Sequence, residues 1–259
     1  MSDTTTTGTT IGVLGAGVMG SGIAQVTALA GCTTVCYDPD GDARARGLAE
    51  VTTGRFGLDG AVARGKRTRD EAEAALARLS FSDDFAEAAS ADVVIEAVPE
   101  QLDLKIRVFR DLDRIAPAAT ILASNTSGFP ITALAAATDR PGRVIGWHWA
   151  SPAPVMRLAE IVRTPTTDDD VVATVTDLAT RCGKHPVVVN DAPSSWGFVA
   201  NRIYFSMLRE ASRVVSEGVA TREQVDQLMV DCFRWPAGPY GMVQGAGSGW
   251  SGGDAGRGH

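Results

Sequence analysis

The glycine pattern near the start of the chain constrains the fold more than any other feature. A short apolar run at residues 11–14 is followed by GAGVMG and then by a run with helical character. The motif supplies Gly15, Gly17, Val18, Met19 and Gly20. In such a strand–loop–helix turn, the first glycine allows a tight turn, the second lets a pyrophosphate approach the backbone, and the third lets helix and strand pack closely. The segment therefore predicts a dinucleotide-binding turn, with the phosphates at the N-terminus of the helix.

An acidic residue indicates which dinucleotide would bind. Asp38 directly follows a second predicted strand, residues 33–37. A carboxylate in this place can accept hydrogen bonds from both hydroxyls of the adenosine ribose and repels a 2′-phosphate, so NAD is favoured over NADP. Arg44 is the nearby residue that would complicate this preference. On the motif alone, a flavin or a tight turn without a nucleotide stays open.

Short β-branched runs alternate with helix-like runs over most of the chain. Strands are predicted at residues 11–14, 33–37, 91–97, 120–123, 144–146 and 161–162, and helices at 21–30, 70–79, 104–115, 131–137 and 171–182. This alternation is typical of a Rossmann-type α/β domain, in which helices cover both faces of a mostly parallel sheet. We therefore expect an NAD-binding domain at residues 1–192. Beyond it the pattern is helical, with a helix N-cap predicted at Thr221, and indicates a smaller all-α domain at residues 193–259 that ends in a flexible Gly-rich tail from residue 245.

Composition excludes several classes of partner. The net charge is −7, and phosphate binding along a nucleic acid needs a concentrated basic face, so we expect no nucleic acid. The apolar runs are too short to span a bilayer, and residues 1–10 do not resemble a secretory signal, so we expect no membrane association and a cytoplasmic protein. The four cysteines lack the spacing of a zinc site, so no metal is predicted.

A histidine and a glutamate carry the predicted chemistry. His259 lies in the Gly-rich tail, and His185 precedes Pro186 in a predicted loop, which leaves His148. His148 follows the predicted strand at 144–146, and ligands bind at the carboxyl ends of strands in open α/β sheets. Glu160 comes in the next apolar segment, where a carboxylate could fix the histidine tautomer and raise its basicity. Spacing alone leaves open that His148 is an ordinary polar loop residue.

Four further segments carry a resemblance to a known family. They are ADVVIEAVPE at residues 91–100, ASNTS at 123–127, the segment 148–160, and GFVANR at 197–202. In this order and at nearly this spacing they resemble the short-chain L-3-hydroxyacyl-CoA dehydrogenases, the family that includes the 3-hydroxybutyryl-CoA dehydrogenases. The resemblance extends from about residue 11 to residue 245.

The resemblance implies a role for each matching position. It makes His148 the catalytic base and Glu160 its carboxylate partner. It also makes Ser127 the donor to the substrate 3-oxygen and Asn201 a residue at the reacting end of the substrate. Further matches are expected along the nicotinamide half of NAD, namely Ala97, Glu100, Lys105, Asn125, Ser127 and Ser151, and Lys66 is expected to bind CoA phosphates.

Taken without the resemblance, most of these matching residues have ordinary interpretations. Ala97 would be a strand end, Glu100 and Lys105 surface charges at the start of a helix, and Asn125 a polar turn residue. Lys66 fits a solvated helix start equally well.

The chain also departs from the family pattern in three places. Ser151 stands where the family usually has asparagine, so the nicotinamide would be held less firmly. The loop at residues 193–197 is a few residues longer than the family's Pro-Gly-Phe turn, which could alter acyl specificity. The helical domain is shorter than the family's, which weakens the homodimer that the resemblance implies. Finally, Trp147 and Trp149 either narrow the acyl pocket or pack in the core.

The function expected from these observations is NAD-dependent oxidation of a (3S)-3-hydroxyacyl-CoA to the 3-ketoacyl-CoA, or the reverse, with a short acyl chain. One alternative is the same hydride chemistry on an acyl-carrier-protein thioester or on a sugar acid such as L-gulonate. A second alternative is an NAD-binding protein without turnover.

Overall fold

A computed structural model describes residues 8–247 of the chain. The chain divides into two compact units, Met1–Phe198 and Val199–His259. The change to a helical sequence pattern predicts the domain boundary slightly earlier, between residues 192 and 193. Within the described residues, no helix combines the length and the apolar character that crossing a membrane requires.

The first unit is built on a single sheet. In its described part the sheet has eight strands: β1 Thr10–Leu14, β2 Thr33–Tyr37, β3 Leu79–Ser82, β4 Val93–Glu96, β5 Ile121–Ser124, β6 Val144–Trp149, β7 Leu158–Arg163 and β8 His185–Asn190. Their order is β3-β2-β1-β4-β5-β6-β7-β8. Strands β1 to β6 are parallel, β7 runs antiparallel to β6, and β8 runs parallel to β7. The order reverses between β1 and β4, which is the switch point where such sheets bind ligands.

Helices cover both faces of this sheet. They are α1 Val18–Leu29, α2 Gly41–Thr52, α3 Leu58–Ala63, α4 Arg69–Leu76, α5 Phe85–Ala89, α6 Leu102–Ile115, α7 Ile131–Ala135 and α8 Asp169–Arg181. One apolar core lies on the face covered by α1 and α8, and a second lies on the face covered by α6 and α7. The central strands β4 and β5 are buried along their whole length and mostly apolar, as parallel strands are when helices cover both of their faces.

The second unit is helical in its described part, with α9 Ala200–Ser216, α10 Arg222–Phe233 and α11 Pro239–Gly247. Helix α10 begins at a capping box in which Thr221 accepts from the backbone N–H of Gln224, and Gln224 reciprocates. Asp226 accepts hydrogen bonds from the backbone N–H groups of Tyr240 and Gly241, which ties the start of α11 to α10.

The structure corrects several predicted elements. Residues 79–82 form β3, although Leu79 was placed in a helix, and His185 begins β8, although it was placed in a loop. His148 lies inside β6 rather than after it, because β6 continues to Trp149 by pairing with β7. Helix α11 runs to Gly247, so the tail predicted from residue 245 is helical at its start. The rest of that tail, and with it His259, lies outside the described residues.

Candidate active site

The glycine loop has the geometry that a dinucleotide requires. Gly15 has φ +103° and donates its N–H to the carbonyl of Tyr37 at 2.7 Å. A Cβ on Gly20 would lie 1.7 Å from the Gly15 oxygen, whereas a Cβ on Gly17 would meet no atom within 4 Å. The turn and the helix–strand contact therefore need glycine at Gly15 and Gly20, while Gly17 faces open space that a pyrophosphate can approach. Gly17 is also the N-cap of α1, so it offers no side chain to the first-turn N–H groups.

Ala97 and Val18 border this loop. A Cβ on Gly15 would lie 2.8 Å from the carbonyl oxygen of Ala97, so the end of β4 packs directly against the turn. Val18 begins α1 and is 76% exposed. Met19 follows it and packs against the core on the α1 face of the sheet. The N-terminus of α1 thus packs against the core on one side and is exposed to solvent on the other, which leaves room for an anionic ligand.

Asp38 lies at the carboxyl end of β2, beside the glycine loop. Its Oδ2 accepts the N–H of Ala16 at 2.8 Å, and its Oδ1 accepts the N–H of Asp40 at 3.0 Å. Arg44, the residue that complicates the choice of dinucleotide, donates to the backbone carbonyl of Asp38 at 2.6 Å and forms an ion pair with Asp83. Because the Asp83 carboxylate pairs with the Arg44 guanidinium, Arg44 does not offer an unpaired positive charge to a 2′-phosphate.

A buried ion cluster lies where β4 ends and α6 begins. Lys105 Nζ lies 2.7 Å from Glu96 Oε1 and 3.1 Å from Glu100 Oε2, and the side chains of Lys105 and Glu96 are 1% and 0% exposed. Burial raises the pKa of the Glu96 carboxyl, while Lys105 and the Ser124 hydroxyl act in the opposite direction. The interpretation of Lys105 as a surface charge is therefore wrong. Sequence reasoning also missed Glu96, although a carboxylate in an otherwise apolar strand indicates a buried partner.

The cluster holds the turn that follows β5. Glu100 Oε1 accepts from the Thr126 hydroxyl at 2.6 Å and from the Ser127 N–H at 2.9 Å, and Ser124 donates to Glu96 at 2.6 Å. On the other side, Asn125 Oδ1 accepts the N–H of Trp149 at 2.9 Å. The turn is thereby fixed to both neighbouring strands, and Ser127 is placed at the same sheet edge as the end of β6.

His148 and Glu160 face each other across the antiparallel pair β6 and β7. His148 Nδ1 lies 2.7 Å from Glu160 Oε2, and the two side chains are 7% and 3% exposed. An ionised carboxylate only accepts, so in the neutral form of the ring Nδ1 donates to Glu160 and Nε2 is left as the acceptor nitrogen. The ring of Phe198 packs against His148 with centroids 5.9 Å apart. This arrangement can take a proton at Nε2 and stabilise the resulting imidazolium.

The two tryptophans beside His148 point to the opposite face of the sheet. Trp147 and Trp149 are 0% and 2% exposed, their rings lie 5.0 Å apart, and both belong to the core under α1 and α8. The alternation of side chains along β6 puts His148 on the other face. Of the two interpretations left open by the sequence, the structure supports packing in the core.

The loop between β6 and β7 is held by a buried lysine that sequence reasoning missed. Lys184 Nζ donates to the carbonyl oxygens of Ala153 at 2.5 Å and Met156 at 2.7 Å, and lies 5.1 Å from the centre of the Trp149 ring. Burial lowers the pKa of Lys184 to about 8. No sequence signal distinguishes this lysine from a solvated one. Ser151, in the same loop, is exposed.

Lys66 and Asn201 are the remaining predicted site residues. Lys66 is exposed between α3 and α4, where its backbone N–H bonds to the carbonyl of Ala61. Asn201 lies in the first turn of α9, in the second unit. Their roles stay predictions. Among the described residues, no group of three or more His, Cys, Asp or Glu side chains is placed to hold a metal ion.

The glycine turn and the buried His–Glu pair lie at the same edge of one mostly parallel sheet. An open turn for a dinucleotide beside a proton-accepting imidazole defines the class of nicotinamide-dependent dehydrogenases that act on alcohols.

Comparison with known proteins narrows this class. Residues 10–192 match the family model for the 3-hydroxyacyl-CoA dehydrogenase NAD binding domain, and residues 197–253 match the model for the C-terminal domain of the same family. A probable 3-hydroxybutyryl-CoA dehydrogenase of Bacillus subtilis is 44% identical over 89% of this chain and 78% of its own length. A 3-hydroxybutyryl-CoA dehydrogenase of Mycobacterium tuberculosis is 41% identical over 88% of this chain and 79% of its own length.

Solved structures agree with this result. The crystal structure of an (S)-3-hydroxybutyryl-CoA dehydrogenase from Ralstonia eutropha superposes with a TM-score of 0.85 at 39% identity, covering 90% of this chain and 80% of that one. The chain therefore belongs to the 3-hydroxyacyl-CoA dehydrogenase family. The resemblance, the fold class, the NAD cofactor and the assignment as an oxidoreductase that are predicted from the sequence are all confirmed.

Proposed function

We propose that this chain interconverts short-chain (3S)-3-hydroxyacyl-CoA and 3-ketoacyl-CoA thioesters with NAD, and that His148 exchanges the proton. The observation that carries the proposal is the buried pair of His148 and Glu160, 2.7 Å apart, at the ligand-binding edge of the sheet. The relatives named above supply the substrate class, since their names specify 3-hydroxybutyryl-CoA.

The residues present fit NAD. Gly17 leaves open space over the N-terminus of α1 for the pyrophosphate, and the Asp38 carboxylate lies beside it for the adenosine ribose. Bound NAD supplies the hydride acceptor for carbon 3 of the hydroxyacyl group. We assign the nicotinamide half of NAD to the same edge of the sheet, at the carboxyl ends of β4, β5 and β6. The residues proposed to line it are Ala97, Glu100, Lys105, Asn125, Ser127 and Ser151.

The chain's own residues then carry out the proton transfer. His148 Nε2 takes the proton of the 3-hydroxyl, and the Glu160 carboxylate stabilises the positive charge that forms on the ring. The Ser127 hydroxyl donates to the substrate 3-oxygen, and in the direction of reduction such a donor stabilises negative charge on that oxygen. Asn201 assists at the reacting end, and Lys66 contacts the phosphates of CoA.

We also propose a cytoplasmic homodimer that works in fatty acid metabolism. All four cysteine thiols are free, as is usual in a reducing compartment. The second unit exposes large apolar side chains on its helices, among them Ile203 and Leu228, which suit an interface between copies.

The decisive experiment is the oxidation of NADH with acetoacetyl-CoA by the wild-type chain and by His148→Gln. We expect the variant to bind NADH normally and to lose turnover by about 10²–10⁴-fold, because general base catalysis contributes this much. His185→Gln is the matched control, since His185 is exposed at the start of β8.

Three results would contradict the proposal. Turnover of His148→Gln close to the wild type would remove His148 from the mechanism. Activity of the wild type on L-gulonate, or on an acyl-carrier-protein thioester but not on the CoA thioester, would replace the proposed substrate. If the wild type binds NADH but turns over none of these substrates, the chain would be an NAD-binding protein and not an enzyme.

A further inference from the structure

The loop after β8 is fastened to the first unit at both ends. At its start, Asp191 Oδ2 accepts from the N–H of Thr132 at 2.8 Å and from the Thr132 hydroxyl at 2.6 Å, which ties the loop to α7. At its end, the N–H of Gly197 donates to the carbonyl of Gly128 at 3.1 Å. The intervening residues are therefore anchored to the first unit at both ends.

The contact at Gly128 is close. A Cβ on Gly128 would lie 2.3 Å from the Gly197 nitrogen and 2.9 Å from Cδ2 of the Trp196 ring, so the loop backbone and the indole both rest on the turn directly after Ser127. Gly197 itself has φ +84°, a conformation that glycine adopts readily. The sharp bend there turns the chain so that its two flanking aromatic residues, Trp196 and Phe198, reach different places.

These two aromatic residues contact different parts of the site: Phe198 lies against His148, and Trp196 lies against the turn at Gly128. Phe198 is 5% exposed and packs against the His148 ring. Trp196 lies over Gly128, next to Ser127, and is 47% exposed. A tryptophan offers a large rigid apolar surface, and about half of this one is exposed in the segment packed on Gly128, directly after Ser127, the residue that the proposed function places at the substrate 3-oxygen.

We infer that Trp196 is a specificity-determining residue that limits the length of the acyl chain. The inference rests on the proposed function, which puts carbon 3 of the substrate between His148 and Ser127. The parts of the substrate nearest to that carbon are the acyl tail and the thioester. An indole has no charge to offer to phosphates and suits an alkyl group, and because both ends of its loop are fixed, it cannot yield easily to a longer tail. Trp196 belongs to the long loop in which this chain departs from the family pattern.

The test measures kcat/KM for acetoacetyl-CoA and for 3-ketooctanoyl-CoA in the wild type and in Trp196→Ala. We expect the ratio of kcat/KM for 3-ketooctanoyl-CoA to kcat/KM for acetoacetyl-CoA to rise by about tenfold or more in Trp196→Ala. Contact with a single methylene in an apolar pocket can change the discrimination between two substrates by this factor. Trp196→Leu, which keeps an apolar side chain of smaller size, should raise the ratio less and serves if the alanine variant fails to fold. Trp235→Ala removes a tryptophan from the second unit and should leave the ratio unchanged.

The outcomes separate this inference from the proposed function. If the wild type reduces acetoacetyl-CoA but the ratio in the Trp196 variants stays at the wild-type value or falls, the inference is wrong and the proposed function stands. If the wild type reduces neither thioester, the proposed function is wrong and the inference falls with it. A normal KM for NADH in every variant shows that the change is confined to the acyl substrate.

Discussion

Replacing Glu160 by glutamine isolates the contribution of its negative charge to turnover. Glutamine has nearly the same shape, and its amide oxygen can still accept the proton of His148 Nδ1, so the ring can keep its place. The negative charge, however, is lost, and with it the stabilisation of the imidazolium that forms if His148 takes the substrate proton as proposed. Both side chains are almost fully buried, so solvent screens this interaction little.

The size of the effect follows from the burial. Removing one partner of a buried ion pair costs roughly 3–5 kcal/mol, which corresponds to a rate loss of roughly 150- to 5,000-fold if the pair is complete only in the transition state. Because glutamine preserves the hydrogen bond, we expect a loss of kcat near the lower end of this range.

The assay is NADH oxidation with acetoacetyl-CoA at saturating NADH, with KM for NADH measured separately. Glu73→Gln, an exposed position on α4, is the control for removing one negative charge. A loss of kcat below about tenfold in Glu160→Gln, in a protein that unfolds at the wild-type temperature, would refute the role of Glu160 as the stabilising carboxylate.

Two further predictions concern the cofactor and the dependence of stability on pH. In Asp38→Ser, the ratio of kcat/KM for NADPH to that for NADH should rise by at least about tenfold, because a charge that repels the 2′-phosphate is removed, and an unchanged ratio would contradict the role of Asp38. The pKa of Lys184 is lowered from 10.5 to about 8 by burial, so between these values the unfolded chain holds a proton that the folded chain has released. The free energy of unfolding of the wild type relative to Lys184→Met should therefore rise with pH from 8 to 10.5, by up to about 3 kcal/mol, as measured by urea denaturation, and a flat difference would show that Lys184 is not desolvated.

Much of the fold could be predicted because its signals are local. The glycine turn, the helix that follows this turn and the second strand are each predicted from adjacent residues, and β2 has the predicted bounds. The sequence does not predict strands β3 and β8, because LSFS is short and HPVVVN has a proline at its second position, and only pairing with β2 and β7 makes them strands. The extension of β6 through His148 has the same origin, since its partner β7 lies beyond a loop.

The candidate site could be predicted where a rare residue type points to it. It could not be predicted where tertiary contacts determine whether a side chain is buried. His148 stands out as one of only three histidines, and Glu160 follows once a partner is sought. Lys105 and Lys184 give no such signal, because a lysine in a sequence looks solvated until the fold encloses it. Their burial depends on Glu96 in one case and on the carbonyls of a distant loop in the other.

The contact between His148 and Glu160 depends on the register of the antiparallel pair β6 and β7. Side chains alternate along a strand, so a slip of a single residue in this pairing would turn the imidazole into the tryptophan core and carry its carboxylate away. An insertion within either strand would thus remove turnover and destabilise the sheet together. Changes confined to the surrounding loops would leave this register, and with it the contact between His148 and Glu160, in place.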